Sequence, residues 1–171
     1  LWVKMILFCG LRPGETAALR WKDIDFKHSL VHVNSAKESG SNEIKDPKTA
    51  AGIRDVPIRP DFLQTLKQAK RGPFDPVFHQ ARDLSKPHTE SSMATMWRSF
   101  KRLVDIEMGA EVYRNQVIRH GEPDNLYDSL TPYCLRHTYC TELQDAGVPI
   151  NVAKYLMGHS DITVTANIYT H

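Results

Sequence analysis

The sequence predicts an α+β fold that is mostly helical with a small antiparallel β-sheet. Apolar residues recur at helical spacing over most of the chain, whereas two short segments alternate between apolar and polar residues as strands do. Helical segments precede and follow these strands, without the strand–helix–strand alternation of a parallel sheet. The 171 residues, 41% of them hydrophobic, suffice for one domain with a real core.

Five elements are predicted in the first part of the chain. They are a helix over residues 1–9, a helix that runs to about residue 21, strands over 30–34 and 54–58, and a helix over 60–71. Gly10 breaks the first helix, and Pro13 and Glu15 favour a new helix N-terminus. The polar stretch between the strands predicts a long hairpin tip, or a short extra strand with loops. Pro60 begins the last of these helices and Gly72 ends it.

Four further helices are predicted in the second part. They cover residues 91–108, 132–146, 149–158 and 162–169. Ser91 and Ser92 open the first of them, and Gly147 and Gly158 mark two helix ends. The polar segment 109–130 has weak periodicity and is interpreted as a variable insertion or an irregular connection.

Composition excludes several classes of protein. No apolar run approaches the roughly 18 residues of a membrane span. Three cysteines, an odd number, favour reduced thiols and a cytoplasmic protein. The net charge of +2 argues neither for nor against nucleic-acid binding. The chain begins without an initiator Met inside an apparent helix, so we interpret it as a fragment of a longer protein.

Five scattered residues have the chemistry needed to cut a phosphodiester without a metal: Arg12, Lys48, Arg136, His159 and Tyr169. A phenol can form a covalent phosphoester, and planar guanidinium groups can hold the non-bridging oxygens in bidentate fashion. A lysine or histidine can protonate the leaving 5′ hydroxyl. Each residue also has an ordinary explanation, such as a surface ion pair of Arg12 with Glu15 or a core position for Tyr169. The site is absent only if the ordinary explanation is correct for all five residues at once.

Three ordered motifs carry a family resemblance. They are GLRPGETAALRWKDID over residues 10–25, TPYCLRHTYCTEL over 131–143 and LMGHSDITVTANIYTH over 156–171. With them the chain resembles the C-terminal catalytic domain of the tyrosine recombinase (phage integrase) family. The resemblance implies the fold of that domain and an enzyme of a phage or mobile element. Such an enzyme cuts and rejoins DNA strands through a 3′-phosphotyrosyl intermediate.

The resemblance also implies a role for each matching residue. Arg12 and Arg136 would clamp the scissile phosphate, and Lys48 would protonate the leaving 5′ oxygen. His159 would hydrogen-bond the phosphate, and Tyr169 would be the nucleophile. Glu15 matches an acidic position that helps to order the site.

Two points of the match stay open. The family usually has His three residues before the second arginine, where this chain has Tyr133. Because a phenol is mostly a proton donor near neutral pH, Tyr133 would hold the phosphate and leave the base role to His159 or water, or would simply pack as an aromatic. Lys45 and Lys37 are rivals of Lys48 for the lysine role.

No cofactor is expected, because two arginines and a lysine supply the charge for which other nucleases use metals. The Cys134, His137 and Cys140 pattern spreads over nearly two helical turns and is discounted as a zinc site. The expected partner is double-stranded DNA, not a membrane.

We expect the family's N-terminal core-binding domain and C-terminal tail to lie outside these 171 residues. We therefore expect a monomer for this fragment and a tetramer on DNA for the full-length protein. The alternatives are a non-catalytic DNA-binding module that keeps the phosphate clamp, or another tyrosine-nucleophile enzyme such as a type IB topoisomerase or telomere resolvase.

Overall fold

The computed structural model describes residues 1–38, 40–41, 43–47, 49–122 and 125–169. Its helices are α1 (Trp2–Cys9), α2 (Pro13–Ala18), α3 (Pro60–Ala69), α4 (Glu90–Glu107), α5 (Asn125–Ser129), α6 (Pro132–Asp145), α7 (Ile150–Met157) and α8 (Ile162–Tyr169). Its strands are β1 (Ile24–Asp25), β2 (Leu30–Val33), β3 (Ala36–Lys37), β4 (Ile44–Lys45), β5 (Arg54–Pro57), β6 (Glu111–Tyr113) and β7 (Gln116–Arg119). The predicted fold class is confirmed: helices dominate, and every strand pair is antiparallel.

The central sheet has the strand order β1-β2-β5. Val31 lies opposite Val56, and both side chains are fully buried on the face that meets the helices. Val33 lies opposite Arg54, so the alternation of a strand places the Arg54 side chain on the same buried face. Arg54 is therefore a charged residue at a core position of β5.

The segment between β2 and β5 was predicted to be a long hairpin tip or a short extra strand with loops. The structure has two short extra strands there, β3 and β4. β3 and β4 pair with each other, Ala36 opposite Lys45 and Lys37 opposite Ile44. This β3–β4 hairpin is held against α2, where a Cβ on Gly14 would lie 2.6 Å from the carbonyl oxygen of Lys37. The hairpin is thereby placed beside the N-terminus of α2.

The core is formed by one face of α1, the inner face of the sheet, α3, and the buried faces of α6 and α7. α1 packs along α6. Gly10 ends α1 at a φ of 60°, and a Cβ there would overlap the Tyr139 ring of α6. Only glycine permits both the left-handed backbone and this close approach, which brings the start of α2 next to α6.

Two sequence predictions differ from the structure. The second helix ends at Ala18 rather than near Trp21, because the Leu19 carbonyl and the Trp21 amide pair instead with Val77 and Asp75 at 2.9 and 3.1 Å. Segment 109–130 contains the β6–β7 hairpin and α5, not an irregular connection. No described helix is both long and apolar enough to cross a membrane.

Candidate phosphate-binding site

Three arginines converge on the C-terminal end of α7, each donating to a different backbone carbonyl. Arg54 Nε donates to the Leu156 carbonyl at 2.8 Å and Arg12 Nη2 to the Gly158 carbonyl at 2.8 Å. Arg136 Nη2 donates to the Met157 carbonyl between them. The last carbonyls of a helix have no partner within the helix and carry the negative end of its dipole. The end of α7 therefore anchors three guanidinium groups side by side.

Glu15 is the carboxylate at the centre of this cluster. Its oxygens accept from Arg54 Nη1 and Nη2 at 3.0 and 2.9 Å, and from Arg12 Nη1 at 2.7 Å. Its second oxygen also accepts the Arg12 backbone N–H at 2.7 Å, which caps the N-terminus of α2. Burial raises the pKa of the Glu15 carboxyl, but the hydrogen bonds and charges of Arg54 and Arg12 outweigh burial and lower it overall.

Arg136 lies on the buried face of α6, and only 4% of it is exposed. Besides the Met157 carbonyl, its guanidinium donates to the Gly10 carbonyl, so the left-handed end of α1 also fixes its position. No described carboxylate forms an ion pair with it. Burial, followed by repulsion from Arg12, lowers the pKa of the Arg136 guanidinium to about 9. An anion beside Arg136 would relieve both effects.

His159 follows α7 and uses both ring nitrogens. Its Nε2 lies 3.2 Å from Arg136 Nη2, and its Nδ1 lies 2.9 Å from Oγ1 of the fully buried Thr165 in α8. Burial first, and then the charges of Arg136 and Arg12, lower the pKa of the imidazole to about 4. His159 is therefore a neutral imidazole beside the guanidinium cluster.

These groups border a cleft of about 1240 Å³. Arg12, Arg136, His159 and Tyr133 line it on the side of α2, α6 and α7. Residues of the β3–β4 hairpin and of the described part of the loop after it also line the cleft. Among the described residues, two arginines and two lysines line the cleft together with three carboxylates, Glu15, Glu38 and Asp46. The cleft therefore has a small excess of positive charge and the donor groups to hold an anion such as a phosphodiester.

Four of the six predicted site residues thus lie around one cleft: Arg12, Tyr133, Arg136 and His159. Tyr133 is 56% exposed, so it is not a packed core aromatic. The structure does not bring Tyr169 to them. Its hydroxyl donates to the Val148 carbonyl at 3.3 Å, and its own carbonyl accepts from Gln144 Nε2 at 2.8 Å. Its helical neighbours Asn167 and Ile168 line the cleft, but Tyr169 does not.

The predicted lysine, Lys48, lies outside the described residues. Both of its rivals line the cleft. Lys45 Nζ is paired with Glu38 and Glu43 at 2.6 and 3.1 Å, and the hydrogen bond that it donates to Glu38 is the main reason that its pKa is raised. Lys37 Nζ donates to the His88 carbonyl at 2.5 Å, and burial lowers its pKa. The choice among the three lysines stays a prediction.

Two residues of the site were missed in the sequence. Arg54 is the bidentate partner of Glu15, and the alternation of β5 indicates its burial, because Arg54 shares a face with Val56. Thr165 is the partner of His159, and nothing in its sequence context distinguishes it from a surface threonine of α8. Among the described residues, no group of three or more His, Cys, Asp or Glu side chains is placed to hold a metal.

Comparison with known proteins gives one family. The family model described as the phage integrase family matches residues 1–171. A tyrosine recombinase XerC-like protein of Caldanaerobacter subterraneus subsp. tengcongensis is 30% identical over 177 residues, which cover 95% of this chain and 42% of the relative. The transposase from transposon Tn916 of Enterococcus faecalis is 26% identical over 177 residues, covering 99% of this chain and 41% of the transposase.

Solved structures agree with the sequence relatives. The Tn1549 transposon integrase in complex with transposon right-end DNA superposes with a TM-score of 0.73 at 25% identity, covering 99% of this chain and 53% of the integrase chain. XerA recombinase, at 21% identity and a TM-score of 0.64, has the same fold; the match covers 98% of this chain and 50% of XerA. The chain therefore spans about half, or slightly less, of the length of the proteins that it matches.

Proposed function

Because the chain belongs to the phage integrase family, we propose that it is the catalytic domain of a site-specific DNA recombinase of a phage or mobile element. The observation that carries the proposal is the convergence of Arg12, Arg136 and His159 on one cleft. These residues lie in three motifs far apart in the sequence, and the fold brings them to the end of α7. The similar Tn1549 transposon integrase, solved in complex with transposon right-end DNA, supports double-stranded DNA as the substrate.

The arginines bind the scissile phosphate. Arg12 and Arg136 are held from behind by backbone carbonyls, so their orientation is set before DNA arrives. Preorganised donors stabilise the charge that builds on the phosphorane without reorganising during the reaction. Glu15 and Arg54 neutralise each other and keep Arg12 in place, which leaves the charge of Arg12 and Arg136 for the phosphate.

The cleavage step exchanges one phosphoester for another. The Tyr169 hydroxyl oxygen attacks phosphorus and gives its proton to His159 or water, the bond to the 5′ oxygen breaks, and Lys48 gives that oxygen its proton. The product is a 3′-phosphotyrosyl ester and a free 5′ hydroxyl. Attack by the 5′ hydroxyl of another strand reverses the step, so rejoining needs no high-energy cofactor.

Tyr169 must move before it can attack. In the described state it is held by the Val148 carbonyl and by Gln144, outside the cleft. Tyr169 is the last residue of α8, so unwinding of the final turn releases it while the rest of the helix stays in place. We expect DNA binding and assembly of a tetramer on paired sites to supply this release.

A non-catalytic DNA-binding module is the second candidate, and one observation favours it. The nucleophile lies outside a cleft whose phosphate-binding residues are already in place. Such a module would bind DNA through Arg12 and Arg136 without forming a covalent bond.

Trapping of the covalent intermediate separates the two candidates. The protein is mixed with nicked duplexes of randomised sequence, in which the cleaved end diffuses away, and covalent protein–DNA species are separated under denaturing conditions. We expect a covalent species that disappears in Tyr169→Phe and persists in Tyr113→Phe, a matched variant on the exposed β6–β7 hairpin. DNA binding without a covalent species in either protein would favour the module, and a species that survives in Tyr169→Phe would contradict the mechanism.

A further inference from the structure

The protonation of His159 can be read from its two neighbours. A guanidinium group has N–H donors and no acceptor, so Arg136 Nη2 must donate across the 3.2 Å to Nε2 of His159. Nε2 therefore carries a lone pair. In the neutral ring the proton is then on Nδ1, which donates to Thr165 Oγ1 at 2.9 Å.

Thr165 Oγ1 can accept this hydrogen bond. The residue is fully buried, and its hydroxyl oxygen lies 2.9 Å from His159 Nδ1. A hydroxyl can also donate, so Thr165 could donate to Nδ1 if His159 were in the alternative tautomer. In that tautomer, however, the N–H of Nε2 would point at the N–H of Arg136, and two donors would face each other. Arg136 therefore selects the tautomer, and Thr165 accepts from its Nδ1–H, which keeps the Nε2 lone pair beside the phosphate-binding arginine.

We propose that Thr165 is a positioning residue: its hydroxyl accepts from Nδ1–H and holds the His159 ring in the orientation that makes Nε2 the proton acceptor for the attacking tyrosine. The inference rests on the proposed function, because it assigns a step of that reaction. Tyr133 and His137 also line the cleft from α6; Tyr133 is a phenol that suits donation to a phosphate oxygen rather than acceptance of a proton, and His137 is tested below as the rival base.

The step balances with the groups present. When a phosphate oxygen accepts the N–H of Arg136 Nη2 that otherwise meets His159, Nε2 is freed while Arg136 stays on its carbonyl anchors. The proton of the Tyr169 hydroxyl passes to Nε2 as the bond from oxygen to phosphorus forms, and Lys48 protonates the departing 5′ oxygen. On rejoining, the imidazolium returns its proton to the tyrosine oxygen.

Charges around His159 decide when it can accept that proton. Arg136, Arg12 and Arg54 face it from α6, the start of α2 and β5, and His137 adds to the repulsion from α6. In the free protein these groups hold the ring neutral. Bound phosphate adds negative charge that compensates them, so the ring becomes a better base when substrate is present.

Nitrogen NMR of the His159 ring tests the tautomer without any DNA. We expect the wild-type protein to show a protonated Nδ1 and a bare Nε2. Thr165→Val, which keeps the shape and removes the hydroxyl, is expected to lose the signal of a hydrogen-bonded Nδ1–H, and Thr165→Ser to restore it. A wild-type ring protonated at Nε2 would overturn the inference, as would an unchanged Nδ1–H signal in Thr165→Val.

Single-turnover cleavage tests the consequence. General bases contribute about 10²–10⁴-fold to rates, so a partly misoriented base in Thr165→Val should slow cleavage by about tenfold or more with unchanged DNA affinity. Thr165→Ser should cleave within about threefold of wild type, which a purely structural role for the threonine methyl would not produce. The wild-type rate should fall at low pH as the ring is protonated.

The outcomes separate this inference from the proposed function. A normal cleavage rate in Thr165→Val overturns this inference and leaves the proposed function intact. The same holds if His137→Gln loses cleavage activity while His159→Gln keeps it. A covalent species that persists in Tyr169→Phe overturns the proposed function, while the tautomer measured by NMR stands independently. A melting curve for each variant shows that the change in rate is not loss of folding.

Discussion

At the scale of single residues, the site depends on the buried carboxylate of Glu15, which forms hydrogen bonds with two arginines. Glu15 is 3% exposed and is bound by Arg54 on one side and Arg12 on the other. Burying such a group is costly unless every charge has a partner and a hydrogen bond. Arg54 takes the role of a structural counter-ion, which allows Arg12 and Arg136 to be the arginines that meet a ligand.

Loss of Arg54 should destabilise the fold strongly. Arg54→Met removes both hydrogen bonds to Glu15 and leaves its carboxylate underpaired, at an expected cost of about 3–5 kcal/mol in the free energy of unfolding. Arg119→Met, which breaks an exposed pair with Glu111 at 2.9 Å, should cost less than about 1 kcal/mol. Urea unfolding measures the free energy of unfolding of both variants. Equal losses would show that the buried Arg54–Glu15 pair stabilises the fold no more than an exposed ion pair.

The pH dependence of His159 follows from its surroundings. Its pKa in the folded protein is lowered to about 4, below the ordinary 6.5, chiefly by burial and then by Arg136. The unfolded chain then binds the proton more tightly, so the stabilising effect of His159 is complete above pH 6.5 and declines as pH falls toward 4. His159→Gln should remove this part of the decline. Ring titration by NMR checks the pKa directly, and titration near the ordinary value in the DNA-free protein would contradict the site geometry.

At the scale of elements, the end of α7 organises the site. Its last carbonyls accept from Arg54, Arg136 and Arg12, and the left-handed Gly158 turns the chain so that His159 follows at once. The helix thus supplies both the anchor for the arginines and the placement of the imidazole. A change in the path of α7 should affect all four residues together.

Gly158→Ala tests that arrangement. Its φ is +62°, and a Cβ would lie 2.7 Å from Arg54 Nη1 and 3.0 Å from the Ala51 carbonyl oxygen. Gly147→Ala is a matched control, because its φ is +69° and no atom lies within 4 Å of the added Cβ. We expect about 1–2 kcal/mol of backbone strain from each and a larger loss at 158.

Urea unfolding compares the two glycine variants. If both variants lose the same free energy of unfolding, Arg54 moves aside without cost when a Cβ is added at position 158. That result would contradict the close packing of Gly158 against Arg54.

Elements with strong periodicity were predicted well from the sequence, and those held by unusual turns were not. α1, α6 and α8 follow from apolar spacing and from glycine or proline at their ends. The β6–β7 hairpin was missed because Arg114 and Asn115 occupy its turn at φ values of 44° and 64° without the glycine that marks such turns. β1 has only two residues, too few for a pattern.

At the scale of the whole molecule, the fold joins motifs that are distant in sequence. Arg12 contacts the Gly158 carbonyl, and Arg136 contacts Gly10 and Met157, so one cleft is assembled from both ends of the chain. The motifs indicated that Arg12, Arg136 and His159 belong together. Their anchoring could not be predicted, because the anchors are backbone carbonyls that every residue possesses.

The position of Tyr169 also could not be predicted from the sequence. The motif places it at the end of the last helix, but the side on which it packs depends on the rotation of α8 against α6. In the described state Tyr133 is the tyrosine in the cleft and Tyr169 is held at Val148. The two tyrosines are therefore rivals for the nucleophile on geometry alone, and the proposed mechanism requires Tyr169.

Mapping of the phosphorylated residue decides between them most directly. The trapped covalent species is trimmed with nuclease and digested with trypsin, and mass spectrometry locates the remaining nucleotide. Tyr133 and Tyr169 fall on different tryptic peptides, because Arg136 and Lys154 lie between them. The account predicts a nucleotide 3′-phosphate on Tyr169; a nucleotide on Tyr133, or on any other residue, would contradict it.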